Sequence, residues 1–402
     1  MGRSKRCASL PATPSAPATS WWSSNSAGDR RTRPPCPGPT IDRVRFSEPF
    51  RRAPVARVIP DSKPSLSVVF PVFNGVGWIG RSLQKVDAAI AAFPFSSAEI
   101  IVVDDGSTDD TIREVESTEI SIPLRIERQA NKGRFLARRR GLDQATGDFL
   151  LFIDTRVFLD ENAFAYVGPF LDDPDSQVWT ADVHAQTQGN PIARFWKAIE
   201  HVAWRKYHND PRHLRYGLDE FDYYPKGTTA LLCPTDLMRA AYDAFTPTVA
   251  DFSKINDDTA LLRYVAERQP INIGPGYRCT YHARSTFKAF LKHANHRGSV
   301  LIDGYLHPGA RFAKAIVVVL VASPFGLLVA ALWPLPTIAA AVAGAVGAGV
   351  IAKERGAETA DAAVLAGLSI PFGIAYLGGM WKGVFSRFAL RFATRKTAAS
   401  AA

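Results

Sequence analysis

Four consecutive β-branched residues, Ile100–Val103, run without a polar interruption into the acids and glycine of DDGSTDD, and a helix-like segment TIREVES follows. Such a run is a strand buried on both faces, the kind found inside a parallel sheet covered by helices. In open α/β sheets, ligands bind outside the carboxyl ends of the strands. Asp104 and Asp105 therefore stand where the base and ribose of a nucleotide can be hydrogen-bonded. The same residues serve equally as a tight turn followed by an N-cap from Asp109. This stretch alone does not choose between the two.

The pattern repeats along the chain. SLSVVFPVF reads as a first strand that breaks at the turn Asn74-Gly75, and Trp78 to Phe93 has helical periodicity. Leu124 to Glu127 is a further strand, Gly133 to Ala145 a helix, and DFLLFI a strand that ends in Asp154. Strand and helix alternate at the spacing of βαβ units, which predicts a parallel sheet with right-handed crossovers. Several strands then deliver polar residues to one edge: Asn74, Asp104, Asp105 and Asp154. Helices dominate from Asn162 to His208, interrupted by the strand-like QVWTADVHA. Thr228 to Cys233 is another strand, and Asp257-Asp258 opens a helix whose N-terminus favours acids.

Both ends of the chain differ from this middle. Residues 1 to 60 are rich in Pro, Ser, Ala and Arg and too poor in aliphatic residues to offset ordering entropy, so a disordered basic tail is expected. The apolar runs Ala315–Trp333, Thr337–Ala352 and Ala360–Trp381, the first two of them uncharged, have the length of membrane segments. Beyond them Arg387, Arg391 and Arg395 recur beside Phe385, Phe388 and Phe392, a basic amphipathic face suited to lipid headgroups. The net charge of +10 is concentrated in these flanks. A membrane is thus the expected anionic partner, and nucleic acid is not, because no basic stripe interleaved with aromatics runs through the folded part. Cys7, Cys36, Cys233 and Cys279 show neither zinc spacing nor a disulfide framework. The expected organisation is a tail (1–60), an α/β domain (64–290), an interfacial acceptor-side segment (291–313), two or three membrane helices (314–382) and a basic tail (383–402).

Taken together and in this order, SVVFPVFNG, IIVVDDGSTDDT, NKGRFLARRRGLDQATGDFLLFID and NDDTALL resemble the family 2 glycosyltransferases, which have a Rossmann-like GT-A fold. The resemblance covers about Leu66 to Ala266 and implies specific roles. Pro71, Phe73 and Asn74 would line the nucleotide pocket, and Asp104 and Asp105 would hold base and ribose. Lys132, Gly133 and Arg138 would lie near the nucleotide and its phosphates. Asp154 would be the first acid of a metal-binding D-x-D, with Mg²⁺ or Mn²⁺ as cofactor. Asp258 would be the catalytic base, with Asp257 in the position of its usual Glu partner.

Two departures from the family pattern matter. The D-x-D reads Asp154-Thr155-Arg156, so a cation replaces the second acid, and Arg156 either contacts the donor diphosphate through its guanidinium fork or points to solvent or pairs with Asp160. The Q-x-x-R-W motif of processive polymerases is absent, and KHANHRG at Lys292–Gly298 puts His293, His296 and Arg297 in that region. The resemblance implies an inverting, non-processive glycosyltransferase at the inner membrane, its catalytic domain cytoplasmic. It would take a nucleotide-diphospho-sugar donor and a lipid-linked glycan acceptor. A polyprenyl-phosphate monoglycosyltransferase is the second reading. A catalytically dead nucleotide-binding scaffold, supported only by the Asp154-Thr155-Arg156 change, is the third.

Overall fold

A computed structural model describes residues 63–246, 257–306, 310 and 312–401. The expected N-terminal tail lies outside these residues, as do the side chains of Asp257, Arg391, Phe392 and Arg395. The first half-domain alternates as its periodicity requires: β1 (Leu66–Val72), α1 (Ile79–Ala91), β2 (Ala98–Asp104), α2 (Thr111–Ser117), β3 (Leu124–Arg128), α3 (Arg134–Gln144), β4 (Phe149–Ile153) and β5 (Val157–Leu159). The second half is more irregular: α4 (Ala163–Val167), β6 (Val178–Thr180), β7 (Asp182–Ala185), α5 (Pro191–Ala203), α6 (Arg205–His208), β8 (Leu214–Tyr216), β9 (Ala230–Pro234), α7 (Thr235–Asp243), α8 (Asp257–Ala266), β10 (Ile271–Ile273) and β11 (Arg278–Tyr281). The described chain then continues in helices: α9 (Phe287–Tyr305), α10 (Ala313–Leu332), α11 (Pro334–Glu354) and α12 (Thr359–Ala401).

The main sheet has the order β3-β2-β1-β4-β9-β6-β10-β8. Its first four strands are parallel, in register from Leu66 with Ala98 to Val72 with Asp104. Strand side chains alternate between faces. Val68, Phe70, Ile100, Val102 and Leu151 therefore pack with Ile79, Leu83 and Val86 of α1 on one face. Val69, Ile101, Val103, Leu150 and Phe152 pack with Ala137 and Leu142 of α3 and Leu237 of α7 on the other. Each fully buried side chain of this kind is worth roughly 1.5–3 kcal/mol, which is why apolar residues fill both parities of these strands. The sheet is a Rossmann-like α/β core of the GT-A kind.

The sheet is not parallel throughout. β9 runs antiparallel to both β4 and β6. QVWTADVHA forms two strands rather than one: β6 joins the main sheet, and β7 pairs with β11 in a small second sheet of order β5-β11-β7. The break falls at Ala181, whose N–H donates to Ala230 while that of Asp182 donates to Tyr277. Alternating apolarity is alike in both halves, so only the partners distinguish them.

Among the described residues three helices are long and apolar enough to cross a membrane: α10, α11 and residues 359–388 of α12, with mean hydropathies of 2.7, 1.9 and 1.6. The third is longer than the apolar run that marks it, because α12 continues through Lys382 and Arg387 without a break.

Candidate active site

β1 lies between β2 and β4, so the strand order reverses beside it. That topological switch leaves a crevice at the carboxyl ends of β1 and β4. Pro71, Phe73, Asn74, Asp105, Gly133, Asp154 and Arg156 open onto one cavity there, of about 1270 Å³, together with Asp258 from the start of α8. The cavity continues to α9, where His293, His296 and Arg297 form its far wall. A typical single-ligand pocket holds about 300–1,000 Å³, so there is room for a donor and part of a second molecule.

The turn after β1 is set by Asn74, which has φ 51°. Asn tolerates this left-handed conformation because its short side chain bonds locally. Here its Oδ1 accepts from the Thr108 N–H at 2.8 Å, and its own N–H donates to Ser107 Oγ at 3.0 Å. The Asp104 carboxylate accepts from the Ser107 N–H at 2.8 Å. The DDGST loop is thereby tied to the β1 turn.

Asp105 has a different task. Its Oδ1 accepts from Gln129 Nε2 and the Lys132 N–H, both at 2.8 Å, and its Oδ2 accepts from the Gly133 N–H at 2.9 Å. Gly133 reaches that position with φ 91°, a region open to glycine. Asp105 therefore holds the NKG loop in place with three charge-assisted bonds. Asp104 and the exposed Lys132 do not line the cavity.

Arg138 joins residues that are far apart in the chain. Expected near the nucleotide and its phosphates, it lies beneath the acids, 1% exposed. Its Nη2 donates to Asp154 Oδ1 at 2.7 Å and to the Thr228 carbonyl at 3.2 Å, while its Nη1 donates to Asp258 Oδ1 at 3.2 Å. Two acids 104 residues apart in the chain thus share one guanidinium. The three neighbouring arginines of α3 divide by helical geometry: Arg139 pairs outward with Asp143 and Asp243, and Arg140 with Glu127.

The Thr228 hydroxyl also donates to Asp258 Oδ1. Oδ2 of Asp258 has no hydrogen-bond donor among the described residues, and the side chain is 37% exposed toward the cavity. Burial raises this carboxyl, but the charges of Arg134 and Arg138 and the Thr228 hydroxyl outweigh it and hold it below the usual carboxylate range. At neutral pH Asp258 is ionised, the state a proton acceptor needs.

Arg156 follows Asp154 by two residues and stacks its guanidinium over the Trp78 ring, 4.6 Å from the centroid. The small sheet pins its backbone, since its carbonyl accepts from the His282 N–H at 2.9 Å. Burial, then the charge of Arg284, press its pKa downward. Neither Arg134 nor Arg284 stood out in the sequence. Arg134 lies at the start of α3, 3.8 Å from Asp154 Oδ2, and both arginines line the cavity. Thr228 carried no sequence signal at all; Arg134 had one, its place directly after the NKG loop at a helix start.

The metal site implied by a D-x-D does not fit these residues. Asp154 is a single carboxylate already paired with Arg138 and Arg134. Its would-be partner position is a guanidinium, and no group of three or more His, Cys, Asp or Glu able to hold a metal occurs among the described residues. Mg²⁺ and Mn²⁺ prefer several oxygen donors and net negative surroundings.

Residues 67–228 match the family described as Glycosyl transferase family 2. This is a family 2 glycosyltransferase domain. Over 114 residues the chain is 32% identical to the poly(ribitol-phosphate) beta-N-acetylglucosaminyltransferase TarS of Staphylococcus aureus, covering 28% of this chain and 20% of TarS. Over 99 residues it is 37% identical to the dodecaprenyl-phosphate galacturonate synthase of Rhizobium johnstonii, covering 24% of this chain and 29% of that protein. The chain thus matches less than a third of the length of either relative. Among solved structures, S. aureus TarS residues 1–349 in complex with UDP-GlcNAc superposes with a TM-score of 0.43 at 18% identity, covering 82% of this chain and 92% of that one.

Proposed function

We propose that this protein is a membrane-anchored, inverting, non-processive glycosyltransferase that moves a sugar from a nucleotide-diphospho-sugar to a lipid-linked glycan. The observation that carries this reading is the pair Asp154 and Asp258 held on two arms of buried Arg138 at the switch point of the sheet. Pro71, Phe73 and Asn74 flank the donor, and Asp105 shapes its pocket through the Gln129–Gly133 loop. Asp104 closes the turn behind them.

Inversion needs one base to take the acceptor hydroxyl proton as the anomeric bond to the diphosphate breaks. Asp258, ionised and lining the cavity, fills that role, and Asp257 precedes it on α8. The departing diphosphate carries developing negative charge, which preorganised cations stabilise. Arg156, Arg134 and Arg284 line the cavity for this purpose, supplying charge where the departed second acid would have helped a metal. Asp154 orients Arg134 and Arg138. The relative named for dodecaprenyl-phosphate supports a lipid-linked acceptor, as do the apolar C-terminal helices next to the cavity wall. The same relative keeps a polyprenyl-phosphate monoglycosyltransferase as the second reading. Nucleotide sugars are made in the cytoplasm, which puts the α/β domain on that face of the inner membrane.

The test is a donor screen on membranes holding the full chain, reading released nucleoside diphosphate. One donor should be turned over, and Asp258→Asn should retain nucleoside diphosphate binding while losing turnover. Turnover close to that of the unmodified protein in Asp258→Asn would remove the base assignment. Binding without turnover of any donor, with a lipid extract present, would favour the scaffold reading.

A further inference from the structure

Length and composition alone make residues 359–388 of α12 a third membrane span. The neighbours of this helix point elsewhere. Near its start Asp361, 1% exposed, accepts from Arg194 Nη1 at 2.8 Å and pairs with Lys197 Nζ at 3.0 Å, both on α5. Near its far end Arg387 Nη1 donates to the carbonyl of Leu306, just past α9, at 2.7 Å. These two anchors are 26 residues apart, about 39 Å along a straight helix.

The stretch between them is held as well. Phe372 packs against Phe195 of α5 and Phe290 of α9, with centroids 5.0 and 6.3 Å apart. Asn295 Nδ2 donates to the Ala375 carbonyl at 3.1 Å. Gly379 and Gly298 let the two backbones touch: a Cβ on the first would overlap the Asn295 carbonyl, and one on the second the Tyr376 carbonyl. α5 and α9 both contribute residues to the cavity wall, so one flank of α12 rides on the α/β domain along its length.

A helix that crosses a bilayer separates its ends by about 30 Å of hydrocarbon. Both ends of this one are fastened by polar contacts to the same water-facing body. Crossing would also carry Arg194, Lys197, Lys292 and Arg297 into hydrocarbon, which disfavours charge steeply. We propose that α12 is not a span but lies along the membrane surface on the catalytic side. The exposed Phe385 and Phe388 then face the acyl boundary, Lys382 the headgroups, and Ile370 and Ile374 the open groove that α12 forms with Ala341, Gly344 and Ala345 of α11. The occupant of this face is the bilayer interface itself. The α10–α11 hairpin, with no charged residue between Lys314 and Lys353 and with Val318, Val321, Phe325 and Leu327 exposed, is the part that inserts. The chain after residue 388 then remains on the catalytic side, as its arginines favour. This assignment rests on the contacts of α5 and α9 and not on the donor chemistry.

Two measurements on the full chain in membranes test it, in a Cys7→Ser, Cys36→Ser background where Cys233 and Cys279 are buried. Ile374 is midway between the anchors and 72% exposed. Ile374→Cys carrying an environment-sensitive fluorophore should be quenched more by lipids spin-labelled near the headgroup than by lipids labelled deep in the chain, a shallow-to-deep ratio above one. A crossing helix would centre this residue in the bilayer, and a ratio below one overturns the proposal. Separately, Ser400→Cys should react with an impermeant maleimide on the same side of the membrane as Glu119→Cys on the α/β domain. Labelling of the two on opposite sides overturns it, even if the fluorophore has disturbed the first variant.

Discussion

Removing Arg138 should destabilise the α/β domain and loosen both acids at once. Its guanidinium donates to Asp154 at 2.7 Å and Asp258 at 3.2 Å, both charge-assisted, and to the Thr228 carbonyl at 3.2 Å. Breaking a buried ion pair by removing one partner costs about 3–5 kcal/mol. Asp154 and Asp258 are 23% and 37% exposed, so water recovers part of their solvation. The lower end, about 3 kcal/mol, is therefore expected for Arg138→Met. At roughly 2–4 °C per kcal/mol for a domain of this size, Tm falls by about 6–12 °C. Arg138→Lys retains the charge but cannot reach both acids, so its Tm should fall between the two. The pH dependence follows from the depressed Asp258 carboxyl. A depressed acid contributes stability above its unfolded pKa, about 3.9, and that contribution is lost as pH falls through its folded value. The Tm gap between Arg138→Met and the unmodified chain should accordingly narrow as pH drops below about 4. Scanning fluorimetry of the detergent-solubilised full chain across pH reads both effects. A Tm within about 2 °C of the unmodified chain, or a gap indifferent to pH, would refute the bridging role.

Three other outcomes follow from the same geometry. Asp105→Ala releases three bonds to the Gln129–Gly133 loop, so amide exchange there should quicken and nucleoside diphosphate affinity should drop by about tenfold or more; unchanged exchange would leave the loop held by something else. Arg156→Ala should slow transfer by about 10²–10³, with Arg156→Lys restoring part of it, whether or not chelator is present; full activity in Arg156→Ala together with loss on chelation would restore a metal to the centre of the reaction. His293 is pressed down to about 3 by burial, with the charge of Arg297 adding to it, and so stays neutral in the fold while the unfolded chain binds a proton below about 6.5. Stability should therefore fall as pH drops from about 6.5 toward 3, and His293→Gln should flatten that slope by about one proton; an unaltered slope would mean that other groups carry it.

The α/β core and its switch point were legible because burial on both faces leaves a period and composition that the chain itself displays. Ile100–Val103 and Phe149–Ile153 could be little else than central strands, and the acids behind them mark the ligand edge. Local conformation was legible for a similar reason: Asn74 and Gly133 occupy backbone regions that few other residues tolerate. What a side chain does at that edge was not legible. Asp104 and Asp105 are adjacent and chemically identical, yet one closes a turn and the other anchors a loop 24 to 28 residues away. Arg138, Arg139 and Arg140 are alike in sequence, and only the 100° step of the helix sends the first under the acids and the others to the surface. Apolar length likewise determined that the C-terminal helices seek lipid. It could not separate a helix that enters the bilayer from one that lies against the protein, because hydropathy records what a segment avoids and not which surface covers it. For α12, α5 and α9 decided that, through contacts at Asp361, Ala375 and Arg387.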